Sequence, residues 1–263
     1  MQEGYKTIVV NFANNICTIQ LNQPERRNPL SQITAVELND ALLRAERNKD
    51  VRVVLLTGAG DAFSAGADLR EFSRYMGNTP LQLYDSGRES TEMFKTGYRY
   101  TKPLIGAING PAFAGGFGLV AMCHMVISAD TAKFAMTEIK VGLFPFVIMP
   151  IIKRALGEKR ALELSITGRV LTAEEAKSIG LVDEVVPRED LMKRARAFAE
   201  EIATRGPVGT RLGLTAYYES NFMEPTIAMD YLNSIRVVNF KSDDLAEGAR
   251  AFLEKRMPEW KGE

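Results

Sequence analysis

The sequence predicts an α/β protein, a coil of strand–turn–helix units followed by a helical C-terminal region. Three observations carry this. Apolar strand-like runs alternate with amphipathic helix-like runs through the first half. Two glycine-rich turns recur at an offset of 50, GDAFSAGADL at 60–69 and GPAFAGGFGL at 110–119. Gly60/Gly110, Ala62/Ala112, Phe63/Phe113, Gly66/Gly116 and Leu69/Leu119 coincide at that offset. From about Ile148 the chain reads as helix after helix. Two copies alone leave coincidence between Ala/Gly-rich turns as the competing explanation of the repeat.

Taken in order, residues 7–12 and 16–21 form a hairpin turning at Asn14-Asn15, because Asn tolerates the left-handed conformation such turns need. Ser31 caps a helix whose Ala35, Leu38, Leu42 and Ala45 lie opposite Glu37, Asp40, Arg44 and Arg47. Val51–Thr57 is an apolar strand. A polar, helix-prone stretch at about 80–101 precedes a strand at 104–108. The run from Leu104 to Ile127 has the length of a membrane span. Five glycines and Pro111 interrupt it, so a buried strand, a tight turn and a buried helix are expected instead. Residues 188–204 place Leu191, Met192, Ala195, Phe198, Ala199 and Ile202 on one helical stripe; the last helix, after Asp243, presents Leu245, Ala249, Phe252 and Leu253. No Pro/Gly/Ser linker intervenes. The expected division is a core over 1–200 and a helical region over 201–263 that packs on the core and on neighbouring subunits.

Composition narrows the function. Lys+Arg and Asp+Glu number 33 each, so the chain lacks the basic field that nonspecific nucleic-acid binding needs. Two cysteines and one histidine, His124, cannot build a disulfide framework or a zinc site. The start, MQEGYKTIVV, has no basic segment leading into an apolar run, so a cytoplasmic protein without a secretory signal or membrane span is expected.

The repeated turns carry no reactive side chain of their own. A helix N-terminus, however, leaves backbone N–H groups unpaired and attracts negative charge. Two such ends side by side would aim two N–H groups at one oxygen, which is an oxyanion hole. Other glycine motifs fit poorly. Gly58-Ala59-Gly60 lacks the third glycine of a dinucleotide loop, no Walker lysine follows a glycine run, and no serine occupies a G-x-S-x-G elbow.

The segments GAGDAFSAGADLREF (58–72), KPLIGAINGPAFAGGFGLVAMC (102–123), KFAMTEIKVGL (133–143) and ITGRVLTAEEAKSIGLVDEVVP (166–187) resemble the enoyl-CoA hydratase/isomerase family, the crotonases. The resemblance implies a crotonase-like spiral of ββα repeats, assembled as homotrimers or homohexamers. It implies an acyl-CoA thioester whose carbonyl becomes an enolate held by two backbone N–H groups, here those of Ala65 and Gly115. Coenzyme A is then part of the substrate, and no separate cofactor or metal is implied. Arg26, Arg27, Ala67, Asp68 and Leu69 stand at the family's coenzyme A positions; Phe252 and Lys255, in FLEKR, stand where the family reaches a neighbouring subunit's coenzyme A.

The hydratases of this family use two glutamates to activate water. The first position is Gly118 here; the second is Glu138. One carboxylate suffices to move a double bond from C3 to C2, removing a proton at C2 and returning it at C4. The family's 3-enoyl-CoA isomerases resemble this pattern. The apolar loop GLFPFVIMP (142–150) would exclude water and raise the pKa of Glu138. The expected function is therefore a 3-enoyl-CoA to 2-enoyl-CoA isomerase with Glu138 as proton shuttle. Three alternatives stand beside it: a hydratase with a different second group, such as Asp68 or Glu89; another enolate chemistry; and a silent acyl-CoA-binding protein. His124 is expected to be structural, and the stretch 75–100 to border the acyl pocket.

Overall fold

Asn14 and Asn15 take φ of 52° and 62°, closing the hairpin of β1 (Ile8–Ala13) and β2 (Ile16–Leu21) as the sequence predicts. The structure, a computed structural model, describes residues 4–68, 70–71 and 77–263. Beyond the hairpin the main sheet is parallel. β4 (Val53–Gly58), β6 (Leu104–Ile108), β8 (Met125–Ala129) and β11 (Glu184–Val186) follow β2 in the spatial order β1-β2-β4-β6-β8-β11. A second layer is made of very short strands. β3 (Pro29–Leu30) pairs with β5 (Gly66–Ala67); β7 (Ala112–Phe113) pairs with β9 (Lys133–Ala135), which also pairs with β10 (Leu171–Thr172). Each turn of the coil thus lays one long strand in the main sheet and one short strand in the second layer.

Both faces of the main sheet are covered, so its central strands are apolar but for Thr57 and Ser128. Alternation divides them: Val54 and Leu56 enter one core, Val53 and Leu55 the other. The first core is shared with α1 (Gln32–Arg47), whose Ser31 Oγ accepts the Thr34 N–H at 3.2 Å. The second is closed by α7 (Leu191–Ala203) through Leu191, Ala195, Ala199 and Ala203.

The polar stretch before β6 is two helices, α2 (Pro80–Ser86) and α3 (Arg88–Tyr98), meeting at Gly87. Residues 104–127 resolve into β6, the turn bearing β7, helix α4 (Gly115–Met122) and β8. α4 is buried from Gly116 to Met122, which is why it is apolar all round. Among the described residues no helix is long and apolar enough to cross a membrane.

One expectation is corrected. The region beyond Ile148 is not purely helical: between α5 (Met149–Thr167), α6 (Ala173–Ser178) and α7 lie β10 and β11. At two and three residues they are too short to show a period of two in sequence. In α10 (Asp243–Glu254) the predicted apolar stripe does not face the core, and Asp244 and Ala251 are buried instead. Asp244 accepts the N–H groups of Val208, Lys261 and Gly262, tying α8 (Pro207–Ser220) to the chain end. Leu245, Phe252 and Leu253 face outward, and α9 (Pro225–Asn239) buries no residue at all.

Candidate active site

A cavity of about 870 Å³ opens where the second layer meets α4. Ala65, Ala67, Asp68, Arg26, Gly115 and Glu138 all line it. The stretch 75–100 borders it as expected, through Leu83, Ser86, Gly87, Ser90, Met93 and Phe94. The loop after Gly142 supplies the facing wall, including Leu143, Phe144, Phe146 and Ile148.

The strands confirm the internal repeat. β4 and β6 pair as Val54↔Leu104 through Thr57↔Ala107, all at an offset of 50. At the turns the offset changes: Ser64 bridges Ala112, 48 residues on. That slip corrects one predicted donor. The Ala65 N–H bonds the Arg27 carbonyl oxygen at 2.8 Å, so it braces the turn and has no hydrogen left for a ligand. The available donor lies two residues further. Pro29 faces Gly66 and Leu30 faces Ala67 in the parallel β3–β5 pair. Proline has no N–H, so the pairing runs through the N–H and C=O of Gly66. Alternation along the strand then turns the Ala67 N–H away from β3. Ala67, which the sequence places among the coenzyme A contacts, is thus the counterpart of Gly115, also at an offset of 48.

Gly115 is the first residue of α4, so its N–H has no acceptor within the helix. Ala114 before it holds φ 50° and ψ −123°, a conformation costing about 1–3 kcal/mol in a non-glycine residue. Its N–H bonds the Ala135 oxygen at 2.8 Å, which helps hold it there. Gly66 makes the meeting of the two turns possible. Its φ is +86°, and a Cβ there would lie 2.6 Å from Ala114 Cβ and 3.2 Å from Gly115 N.

Glu138 sits in a 3-10 helix over Thr137–Val141. Burial raises its carboxyl above the usual carboxylate range, outweighing the lowering by its own backbone N–H. Its Oε2 is buried and has no hydrogen-bond partner among the described residues. A buried carboxylate left unpaired beside an apolar wall is costly to charge, and so is a stronger base.

Gly118 lies one turn into α4. A Cβ there would overlap Ile148 Cγ2 and stand 3.0 Å from both Ile148 Cβ and Phe94 Cε1. The space that an acidic side chain would need is filled with hydrocarbon.

The other candidates are either engaged at the cavity wall or lie away from it. Asp68 is bound by Arg26 in an ion pair at the cavity wall, and Arg70 also reaches it. Glu89 and Arg27 do not line the cavity; Phe252 and Lys255, expected at a neighbouring subunit's site, lie outside this chain's own, Phe252 being 83% exposed on α10. Leu69 lies outside the described residues. His124 is away from the site. Its Nδ1 accepts the Leu104 N–H at 2.9 Å, so Nε2 carries the proton and donates to the Tyr218 hydroxyl of α8. Burial, then the nearby Arg154, pushes its pKa down to about 4.

The family model described as enoyl-CoA hydratase/isomerase matches residues 11–263. The chain belongs to the enoyl-CoA hydratase/isomerase family. An enoyl-CoA hydratase of Mycobacterium tuberculosis is 34% identical over 241 residues, 91% of each chain. The crystal structure of an enoyl-CoA hydratase from Bacillus anthracis is similar with a TM-score of 0.92 and 34% identity, covering 98% of this chain and 100% of that one. One from Mycobacterium smegmatis is similar at 0.90 and 29%, covering 97% and 99%. The fold is therefore the crotonase spiral.

Sequence reasoning missed the Ala67 donor and the Phe94–Ile148 plug over Gly118. The first was accessible from Pro29, whose missing N–H sets the strand's parity. The second had no local signal, because the two residues come from α3 and from the loop before α5.

Proposed function

We propose that this member of the family is an isomerase that converts a 3-enoyl-CoA to a 2-enoyl-CoA, with Glu138 as the single proton shuttle. The observation that carries this is the filled space at Gly118: Glu138 lines the cavity, and Ile148 and Phe94 occupy the place where a side chain from α4 would bring a second acid. Ionised Glu138 takes a proton from C2 of the thioester. The electron pair moves into the dienolate, whose oxygen accepts the N–H groups of Ala67 and Gly115. The carboxylic acid then returns the same proton at C4, leaving the double bond between C2 and C3. The apolar wall keeps water from competing for the proton. Coenzyme A arrives with the substrate, Arg26 meeting its anionic part, and no further cofactor takes part in this scheme.

The names of the relatives favour a second reading, water addition. That reaction needs another group to hold the water. Asp68 is engaged by Arg26, Glu71 accepts the Gln32 N–H at 3.3 Å, and Glu89 does not line the cavity. The test is near-UV absorbance of the conjugated enoyl thioester. A rise with 3-enoyl-CoA and little change with 2-enoyl-CoA is expected, and Glu138→Gln should lower turnover about 10²–10⁴-fold. A fall with 2-enoyl-CoA and no rise with 3-enoyl-CoA would establish hydration instead. Full isomerase turnover in the variant would remove Glu138 from its role, and binding without turnover would leave a silent acyl-CoA-binding protein.

The same reading assembles the chain as a homotrimer or homohexamer. The outward Phe252 and Leu253, exposed at 83% and 80%, are suited to burial against a neighbour. Light scattering on the purified protein tests it; a monomer at working concentration would count against it.

A further inference from the structure

A second cavity, about 90 Å³, lies at the other end of the main sheet from the active site. The residues leading into β4 and β6 meet the C-terminus of α1 and the N-terminus of α8 there. Its walls carry Arg47, Arg52, Lys102 and Arg211 against one carboxylate, Glu46. Glu46 is already engaged, taking the Thr101 N–H at 2.9 Å and its hydroxyl at 2.7 Å. Lys49, Arg205 and Lys261 complete the lining, and each reaches a carboxylate of its own: Glu263, Glu201 and Asp243.

The four remaining cations form no ion pair among the described residues. Lys102 Nζ donates to the Ala45 and Asn48 carbonyls at 2.9 and 2.6 Å. Arg52 donates to the Ala203 and Trp260 carbonyls at 3.1 and 3.3 Å. Neither the Arg47 nor the Arg211 guanidinium has a hydrogen bond or ion pair among the described residues. In a chain of zero net charge, gathering these groups in one concavity costs mutual repulsion. Burial pushes the Lys102 pKa down to about 8; the charge of Glu46 works against this and that of Arg211, more weakly, with it. A tetrahedral oxyanion would relieve the repulsion, and paired guanidinium groups suit its geometry.

We propose that this basic cavity is a phosphoryl-binding site, separate from the active site, that fastens α8 to the end of α1. Its volume suits one phosphate group, supplied either as free orthophosphate or as the terminal phosphate of a nucleotide. Because Arg47 and Arg211 come from the core and from the C-terminal helices respectively, the bound anion would bridge the two.

The test is calorimetric titration and thermal melting of the full-length protein with orthophosphate and with ADP, sodium chloride balancing ionic strength. Saturable binding of either, with a rise in melting temperature, is expected. Arg47→Ala and Arg211→Ala should each weaken it about tenfold or more. Turnover of enoyl-CoA in phosphate-free buffer should be unchanged in both variants. Binding of orthophosphate alone assigns a free anion, and tighter binding of ADP assigns a nucleotide. No saturable binding of either, or equal affinity in wild type and both variants, would overturn the proposal.

Discussion

Gly118→Ala tests whether the active site has room for a second carboxylate. The added methyl would overlap Ile148 Cγ2 and approach Ile148 Cβ and Phe94 Cε1 to 3.0 Å. Carbon atoms pack best at about 3.5–4.0 Å. Ile148 is branched at the carbon being approached and is 3% exposed, so it cannot swing aside without moving its backbone. Overpacking of this kind costs about 1–3 kcal/mol. The overlap with Ile148 Cγ2 puts the cost in the upper part of that range, and alanine's better helix propensity returns up to about 1 kcal/mol, leaving a net loss of about 1–2 kcal/mol. For a chain of this size that lowers the melting temperature by about 2–8 °C. Urea denaturation of Gly118→Ala, Ile148→Ala and the double variant measures it. The two losses should be less than additive by about 1 kcal/mol, because Ile148→Ala removes the colliding methyl. If Gly118→Ala were as stable as wild type and the double variant strictly additive, the site would accommodate a larger side chain. The steric argument against a second acid would then be lost.

Glu138→Gln should raise stability while lowering activity. A carboxyl whose folded pKa is raised favours folding below its unfolded pKa, and that contribution is lost as pH rises through the folded value. Removing the charge should therefore raise the melting temperature at pH 7 and leave it nearly unchanged at pH 4; a lower value at pH 7 would contradict the burial argument. His124 titrates in the other sense. With its folded pKa near 4 and an unfolded value near 6.5, its contribution is complete above pH 6.5 and lost as pH falls toward 4. The ceiling is about 3 kcal/mol, and His124→Gln should flatten the stability slope between pH 7 and pH 4.5; equal slopes would refute it. Arg26→Ala should raise KM for acyl-CoA about tenfold or more while changing kcat little. A fall in kcat at unchanged KM would place Arg26 in the chemical step instead.

Much of the fold is legible because its long elements obey simple periods. The hairpin, α1, β4, β6 and α7 all stand where alternation or a helical stripe places them. The short strands are not legible in that way. β10 and β11 form because neighbouring turns of the coil offer them an edge, and no window of the sequence contains that edge. The outward stripe on α10 shows a related limit. Periodicity shows that Leu245, Phe252 and Leu253 share a face; it does not say whether the face meets the core or the exterior, and here Asp244 anchors the opposite side.

The site shows the same limit at finer grain. A repeat of 50 is real in the paired strands, and carrying it two residues too far selects Ala65, whose N–H is already spent on Arg27. The long strands keep the offset because their ladder is continuous. The turns shed two residues because β5 must pair with β3 while the residue before Ala65 bridges β7. Pairing on both sides consumes the N–H groups of Ser64 and Ala65, and Gly66 is taken by β3, so Ala67 is the first residue of the turn whose amide is left over. Gly115 is left over for a different reason, as the first residue of a helix. One donor comes from strand parity and the other from helix termination, and both face the cavity that holds Glu138. An oxyanion site built this way depends on backbone hydrogen-bond accounting and on glycines that let two turns touch. It does not depend on an acid at Gly118, where Phe94 and Ile148 fill the space. In the proposed function the enolate chemistry therefore belongs to the coil, and the choice between moving a proton and adding water belongs to what stands over α4.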